Sequence, residues 1–557
     1  LYDSYIRAIR WASDRIKERG IVCFVTNGSF IDNNAMDGLR KCLADEFTSV
    51  YCFNLRGNQR TSGETSRKEG GKIFGSGSRA PIAITLLIKN PEKAGQYQLF
   101  YHDIGDYLSR EEKLDKIKKF GSFKNIPRTP IKLNDSHDWI SQRNAEFEKF
   151  ISLGDKSGKS SKTIFDNYSR GIATSRDAWT YNFSRQNLAS NMTRMIDFYN
   201  SQVEDFQIYS QGKTFANAEA RQKQVESFIS TDPASISWSV SLKNDLSKFN
   251  THKLDSESIF IGMYRPYCKQ WSYFNKEFND RRYQMPKIFP NQNLENLVIS
   301  VTGLGVTKDF NAFITNCLPD VQLQANGQCF PLYTYEKNEA TAQTSLFTIE
   351  TGYTKKENIS DDILKDFQTT YQDQTITKEA IFYYVYGVLH SPEYKKRFAA
   401  DLKKMLPRIP YCADFWAFSK AGKELAQWHL NYETVEPYPL DEFKSEIYLE
   451  PQDYTVERMK FPNRDKKVDK TTIIYNSKIT LSGIPLQAYE YIVNGKSAIE
   501  WIIDRYQIRK DEDSGITNNP NHWSDDPHYI IDLVKRIVRV SIETVKIVES
   551  LPELNER

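Results

Sequence analysis

The chain has 557 residues, of which 39% are hydrophobic and 13% aromatic, with 75 Lys+Arg against 72 Asp+Glu for a net charge of +3. That length exceeds what one hydrophobic core supports, so several domains are expected, and the aromatic content excludes a disordered chain. No apolar run approaches the roughly 18 residues of a membrane span, and residues 1–20 lack the apolar stretch of a signal peptide, so neither a membrane protein nor a secreted one is expected.

The opening segment reads as a helix, with Tyr2, Tyr5, Ile6, Ile9, Ala12 and Ile16 on one face, Asp3 in the first turn, and Lys17 and Arg19 before a stop at Gly20. Ile21-Val22-Cys23-Phe24-Val25 is a continuous apolar run, which suits a strand buried on both faces in a parallel sheet under helices. A polar turn at Thr26-Asn27-Gly28-Ser29 leads to a helix over 33–46 and a second strand, Val50-Tyr51-Cys52-Phe53-Asn54-Leu55. Residues 56–79 are polar and glycine-rich; loops of this length without structure of their own are usually functional or mobile. Another apolar strand follows, Pro81-Ile82-Ala83-Ile84-Thr85-Leu86-Leu87-Ile88. The first hundred residues therefore read as half of a doubly wound α/β sheet, with a ligand crevice at the strand C-termini. Residues 97–144 are charged and read as helical or irregular. Residues 154–162 read as a Gly/Ser/Lys hinge, within a hinge region of 151–165 between a first domain of 1–150 and a second, mixed α+β domain of 166–557. A pair of amphipathic helices is expected over 381–404, opening a helical part from about 375, and a closing helix over 532–549.

Gly154-Asp155-Lys156-Ser157-Gly158-Lys159-Ser160 has three residues, not four, before its Gly-Lys pair, and no apolar strand precedes it, so a phosphate-binding loop is rejected. Gly75-Ser76-Gly77-Ser78-Arg79 precedes a strand, whereas a dinucleotide loop follows one. It reads either as a crossover between antiparallel edge strands or as a loop closing over a flat substrate, with Phe74 as a stacking face. Tyr264-Arg265-Pro266-Tyr267, Trp271, Tyr273 and Arg281-Arg282-Tyr283 interleave cations with aromatics. That pattern fits either a solvated hairpin face or nucleic-acid binding, which at this net charge requires local clustering of basic residues. The seven cysteines (Cys23, Cys42, Cys52, Cys268, Cys317, Cys329, Cys412) are scattered without a CxxC pair, so no disulfide framework or zinc site is expected. No Ser/His/Asp set or close acidic pair stands out, and His390, His429 and His522 read as structural.

The run Leu1-Tyr2-Asp3-Ser4-Tyr5-Ile6-Arg7-Ala8-Ile9-Arg10-Trp11-Ala12 with Gly20-Ile21-Val22-Cys23-Phe24-Val25-Thr26-Asn27-Gly28-Ser29-Phe30-Ile31 resembles the stretch after the catalytic motif of γ-class adenine-N6 DNA methyltransferases. Gly71-Lys72-Ile73-Phe74-Gly75-Ser76-Gly77-Ser78-Arg79-Ala80-Pro81-Ile82-Ala83-Ile84 is similar to their late substrate-pocket motif and final strand pair. Downstream, Thr174-Ser175-Arg176-Asp177-Ala178-Trp179-Thr180-Tyr181-Asn182, Tyr264-Arg265-Pro266-Tyr267, Gln328-Cys329-Phe330-Pro331-Leu332-Tyr333 and Tyr386-Gly387-Val388-Leu389-His390-Ser391-Pro392-Glu393-Tyr394 resemble segments of Type ISP single-chain restriction–modification enzymes.

The resemblance implies the C-terminal half of a Rossmann-like methyltransferase sheet followed by a target recognition domain that binds double-stranded DNA, in a bacterial cytoplasmic enzyme. That family's S-adenosylmethionine loop and Asn-Pro-Pro-Tyr tetrapeptide do not occur here: Asn90-Pro91 is followed by Glu92, and Asn519-Pro520 by Asn521. The expectation is therefore a fragment, inactive in methyl transfer alone, whose donor is bound mainly by an upstream half of the same polypeptide. ATP and Mg2+ would serve only an upstream nuclease and translocase. A base flipped out of the duplex needs an aromatic face and polar groups, and the resemblance assigns Phe74, Thr26, Asn27, Ser29 and Phe30 to that pocket. Arg265, Arg281 and Arg282 are the candidates for base edges, Lys269 and Lys276 for phosphates, and Arg79 and Arg176 complete the DNA-binding set. The alternatives are a specificity-only DNA-binding module and an RNA-modifying methyltransferase.

Overall fold

A computed structural model describes residues 3–61, 63–75, 77–93, 95–158, 162–338, 352–464 and 467–557. The chain divides into two compact units: unit 1 is Leu1–Phe150 with Leu304–Phe310 and Lys395–Arg408, and unit 2 is Ile151–Gly303, Asn311–Tyr394 and Ile409–Arg557.

Unit 1 runs α1 (Ser4–Ser13), β1 (Gly20–Asn27), α2 (Asp37–Glu46), β2 (Ser49–Arg56), α3 (Gly63–Glu69), β3 (Ile82–Lys89), β4 (Gln98–Asp103), α4 (Arg110–Phe120) and β5 (Thr129–Ile131). The five strands lie in the order β1-β3-β2-β4-β5. β3 is antiparallel to both β1 and β2, β2 and β4 are parallel, and β5 closes antiparallel on β4. Val22, Val50, Cys52, Leu87 and Leu99 form one core with Ile9, Leu43, Phe47 and Trp139. Phe53, Leu55 and Ile82 face the other way, with Ile117 and Phe120 of α4 packed against them.

The two apolar runs meet different fates, and the expectation that 21–25 is buried on both faces is overturned. β3 takes the interior position and is buried, whereas β1 is displaced to the edge, where Ile21 is 65% and Val25 53% exposed. A run of β-branched and apolar residues does not distinguish an edge strand from a central one, because the neighbour that decides it comes from sixty residues away. The opening helix stops at Ser13, earlier than Gly20, and the Ile16 side chain turns back to within 2.9 Å of where a Cβ on Gly20 would stand. The helix read over 33–46 is a 3-10 turn at Asn34–Met36 followed by α2. β4 lies in a segment read as helical or irregular.

A buried charge cluster ties the turn after β1 to this unit. Arg40 is fully buried and donates to the carbonyls of Phe30, Asn33 and His137 at 2.9, 2.7 and 2.9 Å. Nearby, Asp138 accepts from Arg143 Nε at 2.9 Å, and Lys404 Nζ lies 2.9 Å from it. Burial alone would favour the neutral acid, but hydrogen bonds from Arg143, Asn134 and Lys404 hold Asp138 below the usual carboxylate range.

Unit 2 contains two four-stranded sheets. One orders Leu318–Pro319, Ile259–Arg265, Cys268–Tyr273 and Tyr181–Asn182; the other orders Ala312–Thr315, Val298–Val301, Gln328–Pro331 and Ser169–Arg170. The helix Arg185–Ser210, capped by Ser184, buries Leu188, Met192, Met195, Tyr199, Val203 and Phe206. The stretch 381–404 is broken into Lys378–His390, Pro392–Arg397 and Ala399–Lys404, the last of which belongs to unit 1, with Pro392 opening the second helix, where its missing N–H costs nothing. The closing helix runs Tyr529–Glu549. The stretch 154–162 is described up to Gly158 and from Lys162; residues 159–161 lie outside the described residues. Gly154 packs on an aromatic ring, since a Cβ there would stand 2.6 Å from Tyr168 Cδ1. Among the described residues no helix is long and apolar enough to cross a membrane.

Helices Lys378–His390 and Phe415–Leu430 cross with their backbones touching. A Cβ on Gly422 would lie 1.9 Å from the Tyr383 carbonyl oxygen, and one on Gly387 would lie 2.2 Å from that of Phe418. On an exposed helix, Gly→Ala gains about 1 kcal/mol of helix propensity. Here the sign must reverse: Gly422→Ala is expected to cost about 3 kcal/mol, as overpacked cores do. A urea unfolding midpoint at or above the parent's would refute the crossing.

Candidate functional site

The C-terminal ends of β1 and β2 meet the start of β3. Asn27 and Thr26 lie opposite Ile82 and Ala83, and the Gly28 N–H donates to the Pro81 carbonyl at 2.8 Å. The structure thus brings the Thr26–Ser29 turn together with the chain that enters β3 after Arg79. Asn27 is turned inward on its own loop, its Oδ1 accepting from the backbone N–H and the hydroxyl of Ser29 at 2.9 and 2.7 Å. Thr26 and Ser29 remain half-exposed. Phe30 does not belong with them: it is fully buried, edge-on to Trp139 at 5.7 Å, and serves the core. Its place is set by Arg40, which grips its carbonyl.

The glycine-rich stretch 56–79 is not a bare loop. It contains α3, and it is tied down at the C-terminal end of that helix. Gly70 and Gly71 pass so close to Leu108–Arg110 that Cβ atoms there would stand 2.1 Å from the Leu108 oxygen and 2.4 Å from the Arg110 nitrogen. Buried Lys113 donates to the carbonyls of Glu69 and Gly71 at 2.7 and 2.8 Å, and Arg110 Nε donates to Ile73 O at 2.8 Å. This staple presents Phe74 with its ring 49% exposed. Around Gly75 and Gly77 a Cβ would meet nothing within 4 Å, so this segment stands open. Arg79 is exposed, and its backbone carbonyl accepts from the Gln59 N–H at 2.9 Å. At the end of β2, Arg56 Nε donates to Asp103 Oδ1 at 2.7 Å and also pairs with Asp106, which occupies the carboxylates at the crevice.

In unit 2 the motif residues converge inward. Arg265 Nη1 lies 2.8 Å from Asp320 Oδ1, and its Nη2 lies 3.5 Å from Asp177 Oδ2. Tyr181 Oη donates to Asp320 at 3.0 Å and Tyr264 Oη to Asp177 at 3.1 Å, while the Gln322 N–H donates to Asp320 at 2.7 Å and Thr174 Oγ1 donates to Asp177. Arg265 also sits 3.9 Å over the Tyr264 ring. Pro266 and Tyr267 form the tight turn of this hairpin; Tyr267 holds φ at +58° because its buried ring is fixed and its hydroxyl meets that of Tyr491 at 2.9 Å. Burial pushes the Asp320 carboxyl up to about 6, against the pull of Arg265. The same burial raises the Tyr181 phenol.

The cations named from sequence therefore separate into two groups. Arg265 is committed to the buried network, and Lys269 pairs with Glu433 at 2.5 Å, both side chains mostly covered. Arg176 is buried, its Nε and Nη1 have no hydrogen-bond partner among the described residues, and burial pulls its guanidinium down to about 10. None of these three presents its charge to solvent; the motifs they belong to fold back on the interior. Lys276 and Arg281 are exposed, and Arg282 is half-exposed, 5.4 Å over the Phe274 ring. Sequence reasoning missed Asp177 and Asp320 as partners. Asp177 stands beside Arg176 in its motif, but nothing local marks Asp320, which meets Arg265 from 55 positions away.

Residues 163–533 match the family described as the Type ISP C-terminal specificity domain. Three solved structures are similar over almost the whole chain. A nuclease-deletion mutant of the Type ISP restriction–modification enzyme LlaGI in complex with a DNA substrate mimic is 40% identical over 100% of this chain and 41% of that one, with a TM-score of 0.85. The ATP-dependent Type ISP restriction–modification enzyme LlaBIII bound to DNA is 38% identical over 100% and 34%, with a TM-score of 0.84. The DrdV–DNA complex is 32% identical over 99% and 52%, with a TM-score of 0.82. The chain thus spans between about a third and half of the length of these structures. No curated protein matches it significantly.

Removing Arg265 would leave two carboxylates without their counter-charge, one of them deeply buried, so Arg265→Ala should cost about 3–5 kcal/mol. Because the folded state raises the Asp320 carboxyl from an unfolded value of 3.8 to about 6, the fold holds that proton more tightly. This residue's contribution to stability should therefore fall as pH rises from about 4 to 6, and Asp320→Asn should lack that slope. An Arg265→Ala protein that melts like the parent would return Arg265 to the solvent-facing role its motif suggests.

Proposed function

The chain belongs to the Type ISP restriction–modification family, and from that membership we propose that it recognises a specific sequence in duplex DNA and contributes to adenine-N6 methylation with S-adenosylmethionine, as part of a longer restriction–modification polypeptide. The observation that carries the reading is the match of 163–533 to the specificity domain, together with the DNA bound in the structures of two Type ISP relatives. The nuclease, the ATP-dependent translocase with its ATP and Mg2+, and the donor-binding half of the methyltransferase belong to the rest of that polypeptide, in a bacterial cytoplasm.

Unit 1 supports the methyltransferase part of the reading. β3 inserted antiparallel between β1 and β2 makes a sheet whose β1 edge is unpaired among the described residues and carries exposed Ile21 and Val25. An open apolar edge of this kind invites a further strand, and the donor-binding half of the same polypeptide is the natural occupant. The residues present do not themselves fit S-adenosylmethionine. Asp103 and Asp106 are taken by Arg56, and Asn27 is turned onto Ser29, so among the described residues these side chains form no donor cradle at the strand ends.

What this chain would supply is a wall for the extruded base. The staple of Arg110 and Lys113 fixes the loop that carries Phe74, and the open glycines beside it let a flat group approach its ring. Thr26 and Ser29 would line the polar side. Phe30 is excluded from this role by its burial.

With 2-aminopurine at the target adenine, the intact polypeptide should raise its fluorescence on binding, as the base leaves the stack. Phe74→Ala should keep sequence-specific binding while lowering methylation at least tenfold. A methylation rate matching the parent's would remove Phe74 from the pocket; structured RNA outcompeting duplex DNA at equal salt would favour the RNA-modifying alternative instead.

A further inference from the structure

The motif cations Arg265, Lys269 and Arg176 are turned inward, which leaves open which cations of unit 2 meet the phosphates. We propose that a strip made of Lys156, Tyr168, Arg170, Arg281 and Tyr283 is a backbone-clamping site for consecutive phosphates of the bound duplex. The proposal rests on the DNA-recognition reading above.

The strip is built from three separate segments that the fold brings together. Arg170 is exposed and lies on Ser169–Arg170, the edge strand of its sheet, which has no further strand beyond it among the described residues. Ser169 Oγ accepts from the Gln284 N–H at 2.9 Å, and Ala173 and Arg281 exchange backbone hydrogen bonds at 2.9 Å in each direction, which fixes Arg281–Tyr283 beside Arg170. Tyr283 holds φ at +47°, a conformation that is costly for a bulky residue, and its ring is 41% exposed with the Arg170 guanidinium 5.9 Å from its centroid. On the other side Lys156 Nζ sits 4.3 Å over the ring of Tyr168, which is itself stacked on Phe330 at 5.1 Å. Gly154 lies against the Tyr168 ring so closely that any side chain there would collide with it, and this seats Lys156.

Charge favours an anion here. None of Lys156, Arg170 and Arg281 has a carboxylate within ion-pair distance among the described residues, in contrast to Arg265, Lys269 and Arg505. The acids nearby are Asp155, whose Oδ1 accepts from the Ser157 N–H and hydroxyl, and Asp280, which acts on buried Arg176. Partial burial chiefly, and the like charge of Arg170 next, lower the Lys156 ammonium, and an anion between the two cations would relieve both. A guanidinium resting on a tyrosine face keeps its N–H edge free for phosphate oxygens, and tyrosine adds its own hydroxyl. Contacts of this kind set register and affinity but carry no sequence information.

The test uses the intact polypeptide and measures duplex affinity against salt concentration, for a cognate and a non-cognate duplex. Each phosphate contact contributes about 0.9 to the slope of log K against log salt. Lys156→Gln and Arg170→Gln should each flatten the slope by about that much, and the double variant by about twice as much, on both duplexes, leaving the ratio of cognate to non-cognate affinity unchanged. A control double at exposed positions elsewhere in unit 2, Lys248→Gln with Lys253→Gln, should leave the slope as it is. Parent-like slopes in the strip variants, with the parent still binding DNA, would overturn the strip and spare the DNA reading. Equal flattening in the control would replace the strip by a diffuse field. A parent with no salt-sensitive duplex binding would overturn the DNA reading itself.

Discussion

A guanidinium enclosed by two carboxylates and two tyrosines governs unit 2. Arg265 and Asp320 cannot be buried without each other, because either charge left unpaired would cost several kcal/mol, and half-exposed Asp177 adds a second carboxylate to the guanidinium. Satisfying that one cluster fixes three distant stretches of chain: the segment around Thr174–Asp177, the hairpin that ends in Arg265, and the turn at Asp320. Since 172 bridges 320 in parallel and 173 bridges 281, the same cluster registers the edges of the two sheets against one another. Gly171 is required at this crossing, where a Cβ would stand 2.6 Å from the backbone of Asp320.

This arrangement changes what the motifs mean. Cations interleaved with aromatics invite a reading as a binding face, yet three of the seven named from sequence, Arg176, Arg265 and Lys269, are internal. Sequence pattern identifies which residues must be together; it does not tell whether they face solvent or each other. The difference lies in long-range acids such as Asp320 and Glu433, whose approach to Arg265 and Lys269 depends on the finished fold. The proposed surface strip is harder still to see in sequence, because Lys156, Arg170 and Tyr283 come from three stretches that share no motif and are joined by the Lys156–Tyr168 contact, the Ser169–Gln284 hydrogen bond and the Ala173–Arg281 bridge.

Local pattern was more reliable for the elements. The strands at 20–27, 49–56 and 82–89, the interrupted helices over 378–404 and the closing helix are all legible from apolar periodicity, Gly and Pro. The pairing was not: the antiparallel insertion of β3 between β1 and β2, and the exposure of β1 that follows, depend on a crossover through 56–79 whose glycines were visible but whose staple by Lys113 was not. Phe30 fails as a pocket residue for a related reason, since it directly follows the polar turn Thr26–Ser29 and its burial is fixed by the distant Arg40 and Trp139.

With a net charge of only +3, the DNA recognition proposed above depends on a few locally placed cations and not on a general excess of positive charge. The most direct measurement is hydroxyl-radical footprinting of tyrosine side chains in the intact polypeptide, with and without a cognate duplex. The account predicts that Tyr283 is labelled in the free protein and protected by the duplex, while Tyr181 and Tyr267 in the interior remain unlabelled in both. Protection that leaves Tyr283 unchanged, or labelling of Tyr181 and Tyr267 in the free protein, would contradict it.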